Sequence, residues 1–371
     1  MNKILSVFLL LFLSIQLYSQ ETYVFFGSYN WDKNKPGIYV YELNSKTGKL
    51  KKVTEAKGVF NPSFVTLSPN GQFLYACTDA KTPNGSVSSF AFNPKKKELK
   101  FLNSQPSGGE NPVYVSVHKS GKWLANANYN DGSLSVFPLS DDGKIQPFVQ
   151  NIKYSDEGSV HPKRQDHSHV HSAVFSPDFN NIYFPDLGSD KIRSFQFEEN
   201  KSEPLILPET FVKTDLGFGP RHLSFHPNGK IGYAIGELSG ELNVYNFNSG
   251  KLDLIQKIKT HSDDLTEGFE SSDVHVSPDG KFLYATNRGN ENNIAIFSVA
   301  ENGTLKNIGY QSVLGKHPRT FAIDPSGNFL IVTNVNSSDA VVFRRDLNTG
   351  LLTKTDAVSV ENVTCVQIQK Y

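Results

Sequence analysis

The sequence predicts an all-β fold of seven similar four-stranded sheets, and three observations carry that prediction. One hairpin unit occurs six times, a second occurs seven times, and the pieces of a seventh first unit stand at opposite ends of the chain. The first unit reads apolar strand, Ser/Asp-Pro-x-Gly turn, apolar strand, as in Phe64-Val-Thr-Leu-Ser-Pro-Asn-Gly-Gln-Phe-Leu-Tyr75. It recurs at 115–124, 173–183, 223–233, 274–284 and 321–331. The turn positions Pro69, Lys119, Pro177, Pro227, Pro278 and Pro325 are separated by 50, 58, 50, 51 and 47 residues. The second unit opens on an alternating strand at 37–41, 86–90, 133–137, 191–195, 241–245, 293–297 and 340–343. Each unit is a hairpin, so one repeat is a four-stranded antiparallel sheet.

Taken in order, the chain opens with a segment that is not part of this pattern. Asn2-Lys3 is followed by an apolar run from Ile4 to Leu17 and a polar exit with the small residue Ser19. That is the layout of a secretory signal peptide over 1–20, and the run is shorter than the roughly 20 residues a membrane span needs. The chain is therefore expected to be exported, periplasmic or secreted, with no stable membrane insertion after cleavage. Residues 21–371 are expected to form one domain. Tyr23-Val-Phe-Phe-Gly-Ser-Tyr29 resembles the second strand of the first unit, and Val363-Thr-Cys-Val-Gln-Ile368 resembles its first strand. The termini must meet to complete that sheet. Sheets of about 50 residues repeated radially are the blades of a β-propeller, here seven-bladed and closed by a blade shared between the N- and C-termini. A solenoid or a pair of sandwiches leaves the split copy unexplained.

Composition narrows the function. Lys+Arg and Asp+Glu are both 37, so the net charge is zero and the basic excess of a nucleic-acid binder is missing. Two cysteines exclude a disulfide scaffold or a zinc ribbon. Cys77 and Cys365 fall at channel-side edges of adjacent blades, where a disulfide would staple the closure. Lys95-Lys-Lys97 reads as a solvated hairpin tip, and Asn302-Gly-Thr304 fits both a glycosylation pattern and a turn. No Gly-x-Ser-x-Gly elbow is present. Because propellers bury their own edges, a monomer is expected.

Chemistry is expected where strand one starts and strand two ends, since these share one face of the ring. Asn-Pro and Thr-Asn recur there and read as structural. His169, His171, Arg221, Glu237, Arg288 and Arg319 break the repeat and should converge on one channel mouth. Arginine offers a planar fork for a carboxylate, phosphate or oxyanion. Histidine titrates near neutrality. A glutamate beside arginines stays ionised and can orient water. The set suits an anionic substrate and acid–base chemistry on an ester or lactone carbonyl. His-x-His at 169 and 171 puts both rings on one side of a strand, a geometry that also holds metals. No carboxylate is obviously paired with it and arginines stand nearby, so neither a metal nor another cofactor is expected. His161 and His167 read as loop residues, and His275 as a satisfied core histidine.

At these residues the chain resembles the seven-bladed propeller lactonases, the family of propeller-type 6-phosphogluconolactonase and the fungal carboxymuconate-lactonising enzyme. The resemblance covers 22–371 and is carried by Ser168-His-Val-His171, Asp186-Leu-Gly188, Gly219-Pro-Arg-His-Leu-Ser-Phe-His-Pro-Asn-Gly229, Glu237-Leu238, Val276-Ser-Pro-Asp-Gly280, Asn287-Arg-Gly289 and His317-Pro-Arg319. It implies a metal-independent lactone hydrolase with His171, Arg221, Glu237 and Arg288 as catalytic residues. His169, His222, Arg319, Asp186, Asn128 and Asn287 are expected to bind substrate. Two departures stand out: Gly236 precedes Glu237 where the family often has Asn, and Asn128-Tyr-Asn-Asp131 lacks the glycines usual after Tyr. A muconate-type lactone cycloisomerase and a non-enzymatic propeller binding a sugar acid or protein are the alternatives.

Overall fold

The computed structural model describes residues 21–78, 85–155, 158–265 and 267–371; the expected signal segment lies outside them. The described residues form seven four-stranded antiparallel sheets and no helix. Blades 1 to 6 run in chain order from Pro62, Pro112, Val174, Pro220, Ser271 and Pro318. Blade 7 is composite: Val363–Lys370 supplies its first strand, and Thr22–Ser28, Ile38–Leu43 and Leu50–Ala56 the other three. The expected seven-bladed propeller with a blade shared between the termini is what the chain forms.

Burial follows position in the blade. The second strand Phe282–Asn287 is buried at every residue, because neighbouring blades cover both its faces. The outermost strand Lys251–Lys259 alternates, with most of its residues exposed. Turns of this Ser-Pro-x-Gly kind hold the inner hairpins of the six continuous blades. In blade 5 the Ser277 hydroxyl accepts from the Phe282 amide at 3.0 Å and donates to Asp279 Oδ1 at 2.5 Å. Gly280 there sits at φ +72°, a conformation that glycine adopts without strain. Closure is well tied. Gly27 pairs with Cys365, the Tyr371 hydroxyl donates to the Gly71 carbonyl at 2.6 Å, and Tyr23, Phe92 and Tyr371 pack edge to face. Cys77 and Cys365 are buried thiols, so no disulfide staples the joint. At the Lys95–Lys97 tip, Lys97 also reaches Glu42 across 2.9 Å.

Blade 3 departs from the pattern. Its first strand is only Val174–Phe175, and the chain before it runs irregularly, held to the sheet by one bridge between Val170 and Asp186. That detour lies over the channel mouth and shapes the site.

Candidate active site

The mouth is built in two layers. Before the first strand the chain must pass through a left-handed residue, and Asn61, Asn111, Gly219, His317 and Asn362 supply it with φ between +43° and +63°. Asparagine, histidine and glycine are the types that adopt this conformation most readily, which is why Asn-Pro recurs. At the far end of the second strand, a polar side chain ties the strand to the next turn. Asn287 Nδ2 donates to the Thr260 carbonyl at 2.7 Å and to Asn293 Oδ1 at 3.0 Å. Asn128 Nδ2 donates to Ser133 Oγ at 3.0 Å, and Asn334 Nδ2 to Asp339 Oδ1 at 2.8 Å.

Four of the residues that directly follow a second strand face the opening. Tyr29, Tyr129, Glu237 and Arg288 occupy that position, and with Arg164, His171, Arg319, Asn111 and Val113 they line a hollow of about 220 Å³. Glu237 is its electrostatic centre. Its Oε2 lies 2.8 Å from Arg221 Nε and 3.0 Å from Arg288 Nη2, and its Oε1 is bonded by Arg164. Burial works to raise the Glu237 pKa, but Arg288, Arg164 and Arg221 outweigh it and hold the carboxyl well below the usual range. Arg221 is 1% exposed and lies beneath Glu237, also bonded to the Ser272 carbonyl. Its own burial, next to Arg288, lowers its pKa to about 9, so it remains cationic at neutral pH.

His171 is 5% exposed, and its Nδ1 has no hydrogen-bond partner among the described residues. Burial, reinforced by Arg221, His222, Arg319 and Arg288, drives its pKa well below that of free histidine. The ring is therefore neutral and keeps a lone pair. With His171 neutral, the arginines outnumber Glu237, the one carboxylate among the described lining residues, and give the hollow a cationic excess. Arg319 also lies 5.5 Å from the Tyr29 ring centroid.

The structure brings His171, Glu237, Arg288 and Arg319 together around the opening, with Arg221 directly behind. It does not bring the other expected substrate contacts there. Asn128 and Asn287 are spent on their turns. Asp186 is fully buried and accepts from Ser168 Oγ at 2.6 Å, Ser189 Oγ at 2.7 Å and Arg193 Nε at 2.9 Å. His169 does not pair with His171. Its Nδ1 donates to the Tyr129 carbonyl, its Nε2 meets Asp166 Oδ1 at 2.9 Å, and its ring stacks on Tyr129. A carboxylate thus does stand beside a histidine, contrary to the sequence expectation. Asp166, His167 and His169 are close enough to hold a cation, but they sit outside the hollow. His222 lies deeper, donating from Nδ1 to Asp273 Oδ1 at 2.7 Å. Burial and Arg221 lower its pKa to about 4 against the pull of Asp273. His275 meets the other Asp273 oxygen at 3.1 Å, a satisfied but partly exposed histidine.

Sequence reasoning missed Arg164 and passed over Tyr129. Arg164 comes from the detour before blade 3. The 58-residue interval between Lys119 and Pro177, against 47 to 51 elsewhere, was the available signal.

The propeller mouth thus gathers arginines, one ionised carboxylate and a neutral histidine. The family model for "Lactonase, 7-bladed beta-propeller" matches residues 23–368. A 6-phosphogluconolactonase of Formosa agariphila is 41% identical over 343 residues, covering 91% of this chain and 97% of that protein. One from Bacillus subtilis is 34% identical, covering 89% and 94%. Among solved structures, a putative 6-phosphogluconolactonase from Bacteroides fragilis superposes with a TM-score of 0.88 at 34% identity, over 94% of this chain and 98% of that one. A periplasmic gluconolactonase of Pseudomonas aeruginosa gives 0.87 at 32% identity, over 94% and 99%. The chain belongs to the seven-bladed β-propeller lactonase family and is, by class, a hydrolase of lactone esters.

Proposed function

We propose that this protein is an exported, monomeric hydrolase of sugar lactones, with His171 as the base and the mouth arginines as the anion and oxyanion clamp. The observation that carries the reading is the neutral, buried His171 with an unpartnered Nδ1, facing a hollow lined by Arg164, Arg288 and Arg319. His171 takes a proton from water as the water oxygen bonds to the lactone carbonyl carbon. The carbonyl oxygen becomes an oxyanion beside Arg288 and Arg319, the kind of preorganised charge that is worth most in a dry site. Collapse breaks the ring C–O bond. The proton held by His171 passes to the departing oxygen, leaving a hydroxy acid. Glu237 has both carboxylate oxygens engaged by arginines, so neither is free to take a proton from water. It instead fixes Arg164, Arg221 and Arg288. Export is supported by the N-terminal signal pattern and by the periplasmic relative.

The test is turnover of 6-phosphoglucono-δ-lactone beside glucono-δ-lactone by the purified protein, corrected for spontaneous opening and run in ¹⁸O-labelled water. Uptake of one solvent oxygen per product is expected. Turnover without label would indicate a cycloisomerase. Binding of sugar acids with no turnover of any lactone would overturn the hydrolase.

A further inference from the structure

A second hollow adjoins the first. It is also about 220 Å³, and Tyr29 belongs to the walls of both. Each alone is smaller than the roughly 300–1,000 Å³ of small-molecule sites, whereas the two together fall inside that range. The second hollow exists because blade 7 breaks the loop pattern. Nine residues, 29–37, join its second and third strands, against four or five in the other fully described connections, 129–132, 187–190, 237–240, 288–292 and 335–338. All of these loops lie on the mouth side.

The extra length presents one large apolar group to solvent. Trp31 is 68% exposed, and its ring is held edge-on against Phe60, with centroids 5.2 Å apart. The loop beneath it is braced. Asn30 Nδ2 donates to the Lys35 carbonyl at 2.9 Å, the Asp32 amide to Asn30 Oδ1 at 3.0 Å, and the Asn30 amide to Asn61 Oδ1 at 2.7 Å. An indole fixed in the open is costly to leave in water, at about 25 cal/mol per Å² of apolar surface. No described residue covers it.

Charge separates the two hollows. The first is lined by arginines. The second carries Lys35 against Asp32 and Glu361 and so has no cationic excess. It does not extend the anion site and would not hold a second phosphate or carboxylate. An exposed aromatic face with carboxylate, amide and ammonium groups around it matches a neutral ring with an apolar C–H face and an edge of hydroxyls.

We infer that the second hollow is a subsite for a further sugar ring, so that the substrate is the lactone of a glycosylated aldonic acid rather than of a single sugar. This rests on the reading of the first hollow as a sugar-lactone site. Trp31 stacks on the outer ring, and Asp32, Lys35 and Glu361 take its hydroxyls.

The test measures binding and turnover separately. Calorimetry compares gluconate with cellobionate, which is gluconate carrying one glucosyl unit, on the wild-type protein and on Trp31→Ala and Trp31→Phe. Cellobionate should bind about tenfold tighter than gluconate, a difference near 1.4 kcal/mol. Trp31→Ala should erase that preference without changing gluconate affinity, and Trp31→Phe should keep most of it. Equal affinities in the wild type, no binding of either acid, or a Trp31→Ala loss that is the same for both overturns the inference. Turnover of glucono-δ-lactone and cellobiono-δ-lactone tests the underlying reading. If neither opens, the lactonase assignment of the first hollow fails, whatever the affinities show.

Discussion

The last residue of a second strand and the residue after it differ by one position and by everything they do. Asn128, Asn287 and Asn334 are buried and bonded into their own turns. Tyr129 and Arg288 stand one step past Asn128 and Asn287 and line the hollow, as does Glu237 one step past Gly236. The pleat explains the contrast, since successive side chains on a strand point to opposite faces. In a propeller one face of that final step meets the neighbouring blade, and the next residue is past the sheet. Polarity alone does not separate a structural residue from a functional one here.

Substitutions in the outer layer should abolish chemistry and spare stability, and substitutions in the inner layer should do the reverse. The largest effect is expected from His171→Gln, which should lower kcat by about 10²–10⁴ as a lost general base does. Its thermal midpoint should stay near wild type, and steady-state kinetics beside calorimetry would check both. Arg288→Ala should cost about 10²–10³ in kcat, the range for one lost oxyanion donor. An unchanged rate would remove Arg288 from the clamp. Asn287→Ala should leave kcat close to wild type while losing about 1–3 kcal/mol of stability, because it strands the buried partners of the turn. Denaturant titration reads that loss, and a kinetic defect as large as that of Arg288→Ala would collapse the distinction between layers.

The smallest effect concerns acid. The folded-state pKa of Glu237 is depressed by its arginines, so its contribution to stability is present above the unfolded carboxyl value of about 4.3 and is lost as pH falls below it. The stability gap between wild type and Glu237→Gln should therefore be constant at neutral pH and shrink in acid. A gap independent of pH would mean that Glu237 acts through shape alone.

The fold was legible because the chain repeats itself, and each repeat predicts the next. The site was legible where the repeat fails: Arg221, Glu237, Arg288 and Arg319 stand where other blades carry turn residues. His169 also breaks the repeat and Asp186 was expected to bind substrate, yet each is consumed by partners that only the folded chain brings near. Asp186 finds Arg193 on the adjacent strand, and His169 finds Asp166 and the Tyr129 backbone. Arg164 was hidden for the opposite reason. It belongs to no strand and no repeat, and only the fold carries its loop to Glu237.

The blade made from both ends sets a timetable for the molecule. The strand Thr22–Ser28 has its inner partner at Val363–Lys370, so nearly the whole chain must be made before that edge is covered. Until then the first strand offers a row of unsatisfied amides and carbonyls, the kind of edge that recruits another chain. Pairings this distant in sequence are also slow to form. A protein cut short before residue 363 would keep its six internal blades and still carry an open seam, and the 363–370 tail of a full-length copy is the natural strand to fill it.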